Sequence, residues 1–411
     1  MIAAGLLDAA AMPYAPLIGA AALMRCAFYR ADLRPVGERL LARTRAHPDD
    51  ANAWLDASFV LQLLGQRETG LDMQRHALAL RSVYALPAPA RTPALHLLVL
   101  MGPGDFMANT PIEFLLQTSS IAATVQYVTP DLPLPEQVPG HDVLFVAIAQ
   151  CDANAPLLRD VAQMLEGWPR PVVNRPERIA RLSRDGACAQ LDGVTGTLVP
   201  RTVRMGRAAA MQLTDAAFPL IVRPVDSHAG TDLQKVDDGA ALRDYLAAQP
   251  ASEFYLAPFV DYAGPDGQFR KYRIVLVDGK LFICHLAISS HWMVHYLNAG
   301  MDDSAAKRAE EAAGMAAFDD GFARRHAAAL AEIDARIGLS YLGIDCAETR
   351  DGRLLIFEVD NAMVVHAMDD PGRYPYKKPV MDKVFGAFEA MLLSRCDQHP
   401  HVPGDDRRLA E

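Results

Sequence analysis

Between residues 34 and 80, apolar side chains recur every three or four positions in RPVGERLLARTRA, ANAWLDASFVLQL and RETGLDMQRHALAL, a spacing that predicts helices. HPDD (47–50) breaks the first run and supplies an N-cap for the second, and Gly65 separates the second from the third. Residues 9–24 are uncharged and Ala-rich, but Pro13 and Pro16 interrupt them, and the stretch is shorter than the ~20 residues of a membrane span. They predict another packed helix rather than a signal peptide.

The pattern changes after LPAPARTP (86–93), a Pro-rich linker. ALHLLVLMG, ATVQYVT and HDVLFVAIA are continuous apolar runs of the kind that form buried parallel strands, and RPVVNRP adds a short fourth. TPIEFLLQTSS and APLLRDVAQMLEGW between them predict helices, the first with Thr110 as N-cap and Pro111 in its first turn. Strands alternating with helices imply a small α/β layer domain. It contains no G-x-G-x-x-G, so the dinucleotide-binding signature is absent.

From Pro176 the pattern changes again. FPLIVRPVDSHAGTDLQKV reads as strand, loop, strand, and residues 252–289 hold three more strands with a hairpin turn at Asp278–Gly279. An Ala-rich helical stretch over 304–337 stops at Gly338, and YLGIDCAETRDGRLLIFEVDN is a second hairpin turning at Asp351–Gly352. A last helix spans about 378–395. The chain is therefore divided into a helical domain (1–90), a small α/β domain (91–175), a larger mixed domain (176–395) and a polar tail (396–411).

Of the 411 residues, 51% are hydrophobic and 22% charged, with a net charge of −10 and no basic cluster, which argues against nucleic acid or an anionic membrane as partner. Six cysteines without a C-x-x-C pair read as free thiols in a reducing, cytoplasmic setting.

Chemistry concentrates in the third region. In LLIFEVDN (354–361), Glu358 and Asp360 are two apart on a strand and so share a face. The hairpin brings Asp345 alongside. Three carboxylates on one face suit a hard cation with oxygen ligands, such as Mg2+, which takes few carboxylates plus substrate phosphates. Arg223 ends an apolar strand, where a charge needs a partner, and the small polar loop Asp226–Ser227–His228–Ala229–Gly230 offers backbone N–H groups to a phosphate. Lys271 and Arg273 share a face of another strand. His285, His291 and His295 fall within eleven residues, and His366 follows the carboxylate strand. Three readings of them stay open: an acceptor-substrate pocket, a transition-metal site, or structural histidines. Lys377 and Lys378 read as a solvated or substrate-steering patch.

These residues carry a resemblance. NRPERIARLSRDGACAQL, LVPRT, FPLIVRPVDSHAGTDL, FYLAPFV, RKYRIVLVDGK, GIDCAETRDG and LLIFEVDN occur in the order of an ATP-grasp domain, spaced as in glutathione-synthetase-like and RimK-like ligases. The fold expected is mixed α+β and α/β: an ATP-grasp domain preceded by a small α/β domain and an all-helical N-terminal domain. Residues 51–80, with Trp54, Gly65 and Ala77, resemble one tetratricopeptide unit. It is either a surface for a peptide or protein partner or an appendage that only stabilises the rest.

The resemblance implies an ATP-dependent carboxylate–amine ligase acting on a small-molecule or peptide carboxylate and an amine, with Mg2+ (or Mn2+), often as a homodimer. It assigns Asp345, Glu358 and Asp360 to the metal, and Arg223 and Lys271 to the nucleotide, with the 226–230 loop as lid. Ala257, Phe259 and Val260 fall at the adenine-reading hinge, Asp261 at the ribose, and Arg273 near the transferred phosphoryl group. Four departures stand out: Asp360 for Asn, Arg223 for Lys, a single lid glycine at Gly230, and Pro258 for the hinge Glu. A kinase or phosphotransferase using the same residues, or a non-catalytic nucleotide-binding scaffold, are the alternative readings.

Overall fold

The structure is a computed structural model that describes residues 4–87, 92–135, 137–214, 218–225, 227, 230–398 and 409–410. It is a mixed α/β architecture built on three principal sheets.

Five helices come first: Ala4–Ala11, Ala20–Phe28, Arg34–Ala46, Ala51–Leu63 and Arg67–Leu80. Asp50 caps the fourth by accepting from Ala53 N at 3.2 Å, as HPDD predicts. Its buried carboxylate also pairs with Arg43 at 2.7 and 3.0 Å. The fourth and fifth helices pack as a pair across the Gly65 turn, which has φ 79°.

The first sheet is parallel over Ile121–Tyr127, Leu95–Met101, Val143–Val146 and Val172–Val173, in that spatial order. A fifth strand, Val83–Ala85, pairs antiparallel with Ile121–Tyr127. This corrects the picture of 86–93 as a clean boundary: the chain before it contributes a strand to the sheet after it. Residues 88–91 lie outside the described residues. One apolar core runs from Leu23, Val36 and Leu55 of the helices through Val99 and Phe145 of the sheet to Phe385 and Phe388 of the last helix. The helices close that core and do not stand apart from it.

Two carboxylates fasten the N-terminal segment. Asp56, fully buried, accepts from Ile18 N and Gly19 N at 2.9 and 3.1 Å, and Glu113 accepts from Ala20 N and Ala21 N at 3.0 and 2.9 Å. A Cβ on Gly19 would lie 2.6 Å from Glu113 Oε2, so the grip requires glycine there. Thr110 does not cap the following short helix, Ile112–Leu116; its hydroxyl donates instead to the carbonyls of Ala147 and Asn361.

The second sheet is antiparallel, in the order Gln234–Val236, Leu220–Pro224, Glu253–Pro258 and Val203–Gly206, backed by the helix Gly239–Ala248. The third runs Lys280–Ser289, Phe269–Val277, Tyr341–Glu348, Leu354–Asp360, with Thr197–Leu198 parallel at its edge. The hairpin at Asp278–Gly279 has both residues at positive φ, 47° and 73°. The predicted helix over 304–337 is two helices, Ala305–Ala316 and Ala327–Ile337, with a π-helical turn at Asp319–Ala323 between them; Gly338 ends the second at φ 66°. The last helix spans Lys377–Gln398. Among the described residues, no helix is long and apolar enough to cross a membrane.

Candidate active site

The third sheet positions the site. In antiparallel sheets, directly opposed residues point to the same face. Here the register sets His285 opposite Arg273, Arg273 opposite Asp345, and Asp345 opposite Glu358. One row of polar side chains therefore crosses four strands whose other face is core. Asp360 lies next along that face, opposite Gly343. A Cβ on Gly343 would meet Met363 at 2.7–2.9 Å, so glycine lets the chain after Asp360 fold over the sheet.

Asp345 is 1% exposed and both its oxygens are taken. Arg273 Nε and Nη2 grip them at 2.8 and 2.9 Å, and Lys271 Nζ lies 2.7 Å from Oδ2. Burial opposes the Asp345 charge, but Arg273 and Lys271 outweigh it and hold the carboxyl well below the usual carboxylate range. Arg273 Nη1 donates to Val364 O at 3.1 Å, which leaves two of its five N–H donors for other partners.

Glu358 pairs with Arg184 at 2.6 Å. Burial disfavours its charge, yet Arg184, with Arg223 and Lys271 further off, keeps its carboxyl below the ordinary value. Asp360 goes the other way. Burial and then the neighbouring Glu358 push it up to about 6, although Ala362 N donates to it at 2.8 Å.

Two like charges crowded on one face, one of them resisting ionisation, form a donor pair that fits a hard cation completed by phosphate oxygens. Asp345 fits less well as a third ligand, because Arg273 and Lys271 already neutralise it. Among the described residues, no three His, Cys, Asp or Glu side chains come together as an ion site. The carboxylate trio shares a face as its spacing requires, but it divides into a paired anchor, Asp345, and an acidic pair, Glu358 and Asp360.

Arg223 comes from the second sheet and is 7% exposed. Its Nε donates to Ser227 Oγ at 2.8 Å and its Nη2 to Ser227 O, which folds the start of the lid loop back onto the strand. No carboxylate pairs with it among the described residues. Burial and then Arg184 lower it to about 10, so it stays a cation at neutral pH. Asp226 and His228 lie outside the described residues. A Cβ on Gly230 would lie 3.1 Å from Met293 Sδ, so the lid's end packs on the His-rich loop.

At the hinge, Ala257 pairs with Ile221 and Pro258 with Leu220, the last pair of the two strands, and Phe259 N–H donates to Pro219 O at 3.0 Å, so that group is not free for a base. Val260 N–H has no such partner among the described residues. The Phe259 ring lies edge-on to Trp292 at 5.7 Å and under Lys235 Nζ at 4.8 Å. Asp261 Oδ1 accepts from Ala263 N at 3.0 Å, and the residue is exposed.

The histidines do not converge. His285 lies in the polar row, its ring 4.6 Å from Tyr296; burial and then Arg273 hold it well below its ordinary pKa, hence neutral. His291 is exposed. His295 caps the turn Tyr296–Asn298 by accepting from Leu297 N. His366 sits between Phe28 and Phe114, with ring centroids at 5.5 and 6.1 Å, and burial lowers it to about 4.

Lys377 is the largest correction. It is 3% exposed, not solvated. Its ammonium lies 3.8 Å from the Tyr296 ring centre and 4.8 Å from that of Tyr374, with Asp369 and Glu311 at 3.2 and 3.5 Å. Glu311, fully buried, also accepts from the hydroxyls of Tyr296 and Tyr376 at 2.8 and 2.7 Å. This cage ties the loop after the carboxylate strand to the His-rich loop. Arg184, Glu311 and Lys377 are the residues the sequence reading missed or misplaced.

No protein-family model matches the sequence, and no curated protein matches it. Solved structures similar to this chain include a RimK-domain ATP-grasp protein from Sphaerobacter thermophilus, at 15% identity and a TM-score of 0.41, over 72% of this chain and 99% of that one. A D-alanine–D-alanine ligase from Bacillus anthracis, complexed with ATP, aligns at 15% identity and a TM-score of 0.45 over 75% of this chain and all of its own. D-alanyl-alanine synthetase A from Vibrio cholerae aligns at 13% identity and a TM-score of 0.49, over 75% of this chain and 98% of that one.

Proposed function

We propose that this chain is an ATP- and Mg2+-dependent ligase that activates a substrate carboxylate as an acyl phosphate and joins it to an amine. The observation that supports this most is the meeting of three carboxylates, Asp345, Glu358 and Asp360, with four cations from three elements, Arg184, Arg223, Lys271 and Arg273, of which Arg223 pairs with no carboxylate among the described residues. An ion pair built only for stability has no use for that surplus. A triphosphate does.

Glu358 and Asp360 would hold the cation, which when bound offsets negative charge on the phosphoryl oxygens. Among the described residues Arg223 Nη1 has no hydrogen-bond partner, and it would be offered to a phosphate while Nε and Nη2 hold Ser227. Arg273 and Lys271, fixed by Asp345, present rigid positive charge to the oxygens of the reacting carboxylate and phosphoryl group. A carboxylate oxygen attacks the γ-phosphorus and ADP leaves. The amine nitrogen then attacks the acyl carbon and phosphate leaves. A loop closed over the site would exclude water, which would hydrolyse the acyl phosphate.

The test is ADP release with Mg2+, ATP and pools of carboxylates and amines, with the Glu358→Gln variant beside the wild type. Substrate-dependent release that falls by at least ~100-fold in the variant supports the reading. Release that the variant retains contradicts it.

A further inference from the structure

Arg184 and Arg273 hold their carboxylates in different ways. Arg273 faces Asp345 across paired strands, gives it two bonds and is tied to the Val364 carbonyl as well. Arg184 gives Glu358 one bond, 2.6 Å long, from Nη2 to Oε1. Its Nε and Nη1 meet no hydrogen-bond partner among the described residues. The Glu358 side chain is 30% exposed where that of Asp345 is 2%, so water reaches the first pair and not the second. A pair held by one contact at a wet edge is weak, because water competes for both charges.

The backbone beneath Arg184 is fixed. Arg184 is the first residue of the helix Arg184–Leu191, which Ser183 caps by accepting from Gly186 N at 3.2 Å. Ala187 and Leu191 of that helix are buried. At its far end Arg336 Nη1 donates to the carbonyls of Gln190 and Asp192 at 3.1 and 2.6 Å. What is lightly held is the guanidinium alone, and it can leave Glu358 without any movement of the helix.

That guanidinium acts on three groups. It is the foremost charge favouring ionised Glu358, it lowers Asp360, and it is the foremost charge acting on Arg223. It therefore lies within electrostatic reach of both the acidic pair and the cation offered to phosphate. Glu358 Oε2 and Asp360 Oδ2 accept no hydrogen bond among the described residues. A divalent cation taken up by these oxygens would meet Arg184 on Glu358 as a like charge. Arg273 and Lys271 are committed to Asp345 and cannot make room. Arg184 can.

We infer that Arg184 is a movable counter-ion of the acidic pair: it neutralises Glu358 and Asp360 until a triphosphate arrives with its cation, then yields Glu358 to the cation and turns to the phosphates. The divalent cation is thereby refused alone and admitted with nucleotide. The inference rests on the ligase reading only in taking Glu358 and Asp360 as the cation site, and it holds for any transfer of the γ-phosphoryl group. It also gives the lone contact of Arg184 a reason, since a counter-ion that must leave cannot be tied by several bonds.

The experiment is titration of the full chain with Mn2+ alone, with free Mn2+ counted by electron paramagnetic resonance. A separate calorimetric titration uses the Mg2+ complex of the imido analogue of ATP, in which nitrogen bridges the β- and γ-phosphates. Arg184→Met and Arg184→Gln run beside the wild type, with Glu358→Gln added to each. Both single variants should bind Mn2+ alone at least about tenfold tighter than the wild type, because a positive charge beside the site is gone. Both should bind the nucleotide complex at least about tenfold more weakly, because a phosphate contact is lost. Adding Glu358→Gln should abolish the gain for Mn2+. A residue that only supports the fold would lose both affinities together. Variants that bind Mn2+ no tighter than the wild type, or that bind nucleotide as it does, would overturn the inference. So would a gain that survives Glu358→Gln, or two variants that fail to fold. Opposite shifts in the two affinities, with no ADP release from any acid and amine pool, would count against the ligase reading and leave the counter-ion standing. Amide formation by the wild type, with Mn2+ affinity unchanged in the variants, would do the reverse.

Discussion

Arg273 and Asp345 sit directly opposite each other on adjacent antiparallel strands and share two hydrogen bonds, 2.8 and 2.9 Å long, on the polar face of a sheet whose other face is core. Lys271 completes the set at 2.7 Å. Two cations against one buried anion leave positive charge in place for an anionic substrate.

Removing one member should therefore harm both stability and activity. Arg273→Met leaves Asp345 buried with Lys271 alone. The expected loss is about 1.5–3 kcal/mol in denaturant unfolding, the worth of hydrogen bonds to a charged group, because Lys271 still neutralises the carboxylate. Asp345→Asn should cost less, because the two cations left behind are partly exposed. Equal losses would mean that the pair does not behave as a buried one.

Arg223→Lys keeps the charge but not the fork that binds Ser227. The expected result is a rise in the KM for ATP of roughly tenfold with little change in melting temperature, since one phosphate contact and the lid's anchor weaken together. Ser227→Ala should reproduce part of the effect. Steady-state kinetics at varied ATP checks both.

Truncation at residue 80 should yield insoluble or molten protein. It would remove Leu23, Val36 and Leu55 from a core shared with Val99, Phe145 and Phe388, and it would leave the buried Glu113 without the Ala20 and Ala21 N–H groups it accepts from. Solubility and near-ultraviolet circular dichroism check this. A truncated chain that folds and binds nucleotide would show that the helices are an independent appendage.

Asp56 predicts a pH dependence. Burial pushes its carboxyl up to about 7, more than the bonds from Ile18 and Gly19 offset, with Glu113 raising it further and Arg43 lowering it. The folded state then holds a proton that the unfolded state releases near its ordinary pKa. Stability should fall as pH rises from about 4 to about 7, by up to about 4 kcal/mol from this group alone. Denaturant unfolding across that range should show the slope, and Asp56→Asn should flatten it.

Much of the site was legible because a strand has period two. Glu358 and Asp360 share a face on that ground alone, and the turn at Asp351–Gly352 brings Asp345 beside them. The pairing of Asp345 with Arg273 was not legible. It depends on register between strands 72 residues apart, which local pattern does not encode. Arg184 lies 174 residues from Glu358, on a helix whose sequence marks no charge as special. Other signals were present and went unread. Asp56 interrupts the apolar run AWLDASFV, and a lone acid there is costly unless its partners are buried with it. Lys377 follows two tyrosines in YPYKK, the composition of an aromatic cage, but a short basic pair more often faces solvent.

The central claim is that a carboxylate oxygen attacks ATP. The most direct measurement supplies acid pools labelled with 18O in the carboxyl group together with an amine pool, Mg2+ and ATP. The phosphate released is then analysed by mass spectrometry. One 18O atom should move from the carboxyl group to phosphate for each amide formed. Turnover that releases unlabelled phosphate, or yields a stable phosphorylated product with no amide, would contradict the account.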